Sequence, residues 1–206
     1  MINDIIIFIL VILIIIIEYK VQKKHLGVIL LHNNDHTLNK VVQYISAFFE
    51  KLEIHFTIVI IKESKNNKSK IKRSTGKLFN IGYRQLSKMD SYLFIDSKYC
   101  KLDNFYKILV NKSTLTMDNI YPKDKIELID NICGFFISRD YFKKIDGFSN
   151  GSNNSFSDFI KQLEHDTLSK TKHGGYLSNN VNTKYHISDK TSINNHAIRM
   201  IIEIDR

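Results

Sequence analysis

Three short apolar runs, each followed by a polar break and a helical pattern, restrict what this chain can fold into. "LGVILL" (Leu26–Leu31) is short, apolar and carries the β-branched pair Val28 and Ile29, the signature of a buried strand. "IHFTIVIIK" (Ile54–Lys62) and "SYLFI" (Ser91–Ile95) repeat that pattern. Between the first two, Leu38, Val41, Val42, Ile45, Phe48 and Phe49 recur at helical spacing, which predicts a helix to about Lys51 with Asp35 or Thr37 at its start. Between the second and third, "KLFNIGYRQLSK" (Lys77–Lys88) predicts another helix. A β-α-β-α-β succession implies a parallel sheet with right-handed crossovers. Ligands of such sheets bind beyond the carboxyl ends of the strands, and Asp96 falls at such an end.

Downstream, a helix is expected near Asp103–Asn111, a strand at "NICGFFIS" (Asn131–Ser138), and a short helix and turn at "RDYFKKIDGF". A Gly/Ser/Asn loop then leads into another helix, and "AIRMIIEI" closes the chain as a strand or helix. No internal repeat or second domain is evident. The expectation is one α/β domain over residues 25–206, a mixed and mainly parallel sheet flanked by helices.

Residues 1–24 are of another kind. Ile5 to Ile17 is unbroken aliphatic and aromatic, followed by Glu18 and the cluster Lys20, Lys23 and Lys24. There is no basic segment before the run and no small-residue cleavage pattern after it, so an uncleaved membrane anchor fits better than a signal peptide. The lysines after the run favour a cytoplasmic domain under the positive-inside rule. Sequons at Asn67, Asn111, Asn150 and Asn153 would matter only in a lumenal one, so the side of the membrane stays open.

The formal net charge of +9 predicts attraction to polyanions such as acidic glycans or anionic lipid. Nucleic acid is a poor match, since no helix-turn-helix, zinc or basic–aromatic module accompanies the charge. Lys65, Lys68, Lys70, Lys72 and Arg73 crowd one hydrophilic loop, read either as a solvated loop or as a phosphate- or sulfate-binding one. Cys100 and Cys133 are the only cysteines and form no metal knuckle; two buried thiols or a single bridge are both compatible with them.

Taken in order, several segments resemble the β-1,4-galactosyltransferase family, whose fold is GT-A. The resemblance runs from about Leu26 to His186. It rests on "LLHNNDHTL" (Leu30–Leu38), "RSTGKLFNIG" (Arg73–Gly82), "YLFIDSKYCKLDN" (Tyr92–Asn104) and "CGFFISRDYFKKIDGF" (Cys133–Phe148). In the second segment Lys77, Leu78, Asn80 and Gly82 keep the family's places; in the last, Ser138, Phe142, Ile145, Gly147 and Phe148 do.

The resemblance implies a GT-A-like, Rossmann-like fold behind an N-terminal anchor in a Golgi-type, ER-type or viral membrane. It also implies transfer of a sugar from a nucleotide sugar, of the UDP-sugar class, to a glycan or glycoprotein. Carried over by position, it makes His32, Asn34, Arg73, Lys77, Asp96 and Lys98 donor-binding, Asp96 and His186 metal-binding with Mn²⁺, and Asp158, or else Asp166, the base. Departures bear on activity. Lys98 stands where the family's second metal-motif aspartate coordinates Mn²⁺, Thr183 replaces a methionine ligand, and "SNNSFSDF" replaces the acidic catalytic stretch. Lys98 would then serve as a fixed positive charge near the diphosphate. Plainer roles exist for each residue: Asp96 pairs with Lys98 or caps the next helix, Asp158 is a helix-start charge, and His186 is a surface histidine. On those roles the chain is a non-catalytic surface protein, such as a viral envelope protein, that binds acidic glycans or a protein partner.

Overall fold

The computed structural model describes residues 5–13, 24–32, 35–63, 75–97, 115–130, 134–148, 185–194 and 197–204. The expected β-α-β-α-β unit is present: β1 His25–Leu31, α1 Asp35–Lys51, β2 His55–Glu63, α2 Thr75–Gln85 and β3 Ser91–Asp96. It continues through α3 Met117–Ile120, β4 Ile126–Asp130, β5 Gly134–Ser138, α4 Arg139–Lys144, β6 Tyr185–Asn194 and β7 Ala197–Ile204. The seven strands form one sheet in the order β4-β5-β3-β1-β2-β7-β6.

β1 is parallel to β2 on one side and to β3 on the other, in register from Leu26 to Leu31. β7 adds a fourth parallel strand beside β2, while β5, β4 and β6 pair antiparallel. The closing segment "AIRMIIEI" is thus a strand that reaches back into the parallel part of the sheet.

Side chains alternate along β1, and the two helices divide between its faces. Leu26, Val28 and Leu30 pack with Leu38, Val41, Val42, Ile45 and Phe49 of α1. Ile29 and Leu31 pack with Leu78, Phe79, Ile81 and Tyr83 of α2. Phe48, expected on the inner face of α1, is only partly buried.

The α2 face carries an aromatic cluster. Phe94 lies 4.9 Å from Phe79, 5.3 Å from Phe135 and 5.0 Å from Phe148 between ring centroids. Phe148 in turn meets Phe142 edge-on at 4.7 Å. Ring pairs of this kind contribute about 0.5–1.5 kcal/mol each beyond the area they bury. Gly134 lets β5 approach: a Cβ there would stand 2.5 Å from the Phe94 carbonyl oxygen.

Phe148 is placed by the preceding turn. Ser138 caps α4 by accepting from the Tyr141 amide. Asp146 and Gly147 then turn the chain in the left-handed region, at φ 59° and 75°. Asn80, fully buried on α2, closes the structure from the other side. Its amide donates to the Phe148 carbonyl at 2.7 Å, and its side-chain oxygen accepts from the Phe148 amide at 3.0 Å.

Residues 5–13 are helical, and among the described residues no helix is long and apolar enough to cross a membrane. The expected helices after Asp103 and after the Gly/Ser/Asn loop lie outside the described residues, as do Cys100 and Cys133.

Two predictions follow from this packing. Asn80→Ala removes both hydrogen bonds and leaves the Phe148 peptide groups buried without them, so urea unfolding should show a loss of about 2–4 kcal/mol. Burial also pushes the hydroxyls of Tyr92, Tyr121 and Tyr83 above the ordinary phenol range. Folded values raised above an unfolded value near 10 mean that their contribution is complete below about pH 10 and is lost as pH rises further. Tyrosinate absorbance should therefore show these three of the ten tyrosines ionising only as the protein unfolds.

Candidate functional site

The strand order makes a topological switch at β1. The chain leaves β1 through α1 for β2 on one side, then returns through α2 to β3 on the other. The strand order therefore reverses at β1, with α1 and α2 on opposite faces of the sheet, and such sheets hold ligands beyond the carboxyl ends of the strands at this point.

Two polar residues are fully buried at this point. Asp96, the last residue of β3, is 0% exposed and pairs in register with Leu31. His32, just past β1, is 2% exposed. Its backbone amide donates to the Ile61 carbonyl at 3.1 Å, which extends the β1–β2 pairing by one residue. Across the switch, Ser97 performs the corresponding service. Its amide and its hydroxyl both donate to the Leu31 carbonyl, at 3.0 and 2.8 Å.

The His32 ring is oriented by α1. Nε2 lies 3.2 Å from the Thr37 hydroxyl, in the first turn of that helix. The start of α2 also stands at this edge of the sheet, with Thr75 and Gly76 buried and Lys77 half-buried in its first turn. Both helices therefore direct the positive ends of their dipoles toward the strand ends. A carboxylate accepts hydroxyl donors, an imidazole exchanges hydrogen bonds with a base or sugar, and a lysine attracts phosphate.

The structure brings together His32 and Asp96 among the expected donor-binding residues, with Lys77 at the same edge. Asn34, Arg73, Lys98, Asp158 and Asp166 lie outside the described residues. His186 is on β6, in register with Glu203 of β7, near the same edge. Four strand spacings separate β6 from β3, on the order of 19 Å along the sheet. Thr37 and Ser97 are the contributors that sequence reasoning missed as site residues. The sequence offers Thr37 only as a helix start, because its approach to His32 depends on how the chain turns from β1 into α1.

The described residues do not by themselves make a manganese site. Among them no group of three or more His, Cys, Asp or Glu side chains stands close enough to hold a metal ion. Asp96 supplies one carboxylate, and hard divalent cations take several oxygen donors.

No protein-family model matches the chain, and no curated protein matches it. Among solved structures, it is similar to a mutant of Drosophila β-1,4-galactosyltransferase 7, crystallised with manganese, UDP-Gal and xylobiose. The TM-score is 0.50 at 16% sequence identity, over 88% of this chain and 95% of that one. The fold is GT-A-like. At this identity the likeness speaks for the fold, and the site must be argued from its own residues.

If Thr37 orients the His32 ring, Thr37→Val should leave the unfolding free energy within about 1 kcal/mol of the parent. The His32 ring resonances in an NMR spectrum should nevertheless shift. Unchanged resonances would show that the ring is held by other contacts.

Proposed function

We propose that this is a membrane-anchored glycosyltransferase-like protein that binds a nucleotide sugar between the carboxyl ends of β1 and β3. The observation that supports this most is the pair of buried polar side chains, His32 and Asp96, at the switch point of a GT-A-like sheet. A carboxylate accepts from ribose hydroxyls, and an imidazole exchanges hydrogen bonds with a base or sugar. The similar galactosyltransferase was crystallised with UDP-Gal and an acceptor sugar, which makes a UDP-sugar the first donor to test.

In transfer, the bond from the anomeric carbon to the diphosphate oxygen breaks, and a bond to an acceptor hydroxyl oxygen forms. The hydroxyl proton passes to a base, and the departing diphosphate keeps the electron pair. Lys77 in the first turn of α2 and Lys98 are the side chains proposed to stabilise the diphosphate, and Asp158 the one to take the proton. Lys98 in place of a metal-binding carboxylate makes this proposed chemistry independent of Mn²⁺. The same substitution favours a second reading, in which the scaffold binds acidic glycans or a protein partner without transfer.

Thermal denaturation of residues 24–206 with a panel of UDP-sugars separates the two. A bound donor at about a hundred times its dissociation constant adds roughly 2.7 kcal/mol. That stabilisation should persist in EDTA and disappear in Asp96→Asn and in His32→Ala. Stabilisation by heparin but by no UDP-sugar, falling steeply with salt, would favour the non-catalytic reading.

A further inference from the structure

The route by which the chain enters the sheet bears on which acceptors the site can reach. All nine residues of the helix at 5–13 are large and apolar, and each is 39–66% exposed, from Ile12 to Phe8. A helix that is apolar on every side requires an apolar surrounding, and the folded domain does not supply it here. Lys20, Lys23 and Lys24 follow the apolar run closely, a charge pattern complementary to anionic lipid headgroups.

The chain is then fixed to the domain at once. The Lys24 ammonium lies 5.1 Å from the centre of the Tyr121 ring, and the Tyr121 hydroxyl donates to the Lys24 carbonyl at 3.2 Å. At the next residue, the His25 amide donates to the Asp90 carboxylate at 2.8 Å and the Asp90 amide returns a bond to the His25 carbonyl at 2.9 Å. From Ile17, the end of the apolar run, to Lys24 there are seven residue steps, which reach at most about 25 Å even fully extended.

β1 starts at this tether and runs away from it for seven residues, about 23 Å, before it reaches His32. We propose that the domain sits on a lipid bilayer with the starting edge of its parallel strands toward the membrane, and that the His32–Asp96 crevice opens away from it. The acceptor is then a glycan on a soluble or protruding molecule, and not a lipid headgroup of the same leaflet. An inverted domain would place the whole length of β1 and the strand-end loops between the tether and the bilayer, which the short connection does not span comfortably. This inference rests on the anchored reading of the proposed function and narrows its acceptor class.

The chain contains no tryptophan, so a single introduced one reports alone. Helix α1 runs between the two edges, and Asn39 and Lys51, both exposed, are twelve residues apart on it, about 18 Å. The full chain carrying Asn39→Trp or Lys51→Trp would be reconstituted into phosphatidylcholine–phosphatidylserine vesicles with nitroxide-labelled headgroups. Lys51→Trp fluorescence should be quenched at least twofold more strongly than Asn39→Trp. Equal quenching, stronger quenching of Asn39→Trp, or failure of the chain to float with the vesicles would overturn the proposal. Lys88→Trp, also exposed and at the starting edge, replaces Lys51→Trp should that variant not fold. None of these readings depends on a nucleotide sugar. A chain that quenches as expected but binds no UDP-sugar in solution retains the orientation and loses the donor site.

Discussion

The position of β1 governs the rest of the molecule. It is hydrogen-bonded to parallel neighbours on both sides, and every residue from Leu26 to Leu31 is buried. A strand so placed must be apolar on both faces and must have a helix over each. Those requirements divide α1 from α2 between the two faces of the sheet and leave the ends of β1 and β3 side by side. The polar residues that finish these strands, His32 and Asp96, are buried as a result.

Most of the residues on which the resemblance to sugar transferases rests have architectural roles in this structure. Asn80 and Phe148 belong to two segments far apart in sequence, and they meet through paired hydrogen bonds. Ser138 caps a helix, Gly147 allows a left-handed turn, and Phe142 and Phe148 fill the aromatic cluster. Similarity concentrated in such residues is what a retained fold requires. It leaves room for the chemistry to diverge.

Much of this was legible because burial imposes period. The apolar runs at Leu26–Leu31, Ile54–Lys62 and Ser91–Ile95 could be read as strands, and the helical spacing from Leu38 to Phe49 as one face of a helix. Asp96 was legible as a strand-end carboxylate for the same reason. The place of β7 was not, since a continuous apolar run says that a strand is buried without saying between which neighbours. Its pairing with β2 depends on a long return of the chain that has no local signal. The approach of Thr37 to His32 was equally hidden, because it depends on how the connection from β1 to α1 closes. The sequence could show Lys98, Asn34, Arg73 and Asp158 only as types in a pattern, and they keep that status as proposals.

Hydrogen exchange, followed by mass spectrometry with and without UDP-galactose, tests the central claim most directly. Binding at the switch point should slow exchange in peptides covering Leu31–Leu38 and Phe94–Ser97, the two strand ends and the start of α1. The remote starting edge, around His25 and Asp90, should be unaffected. Slowing confined to the β6–β7 hairpin, or no slowing at a concentration that stabilises the fold, would contradict a donor site between β1 and β3.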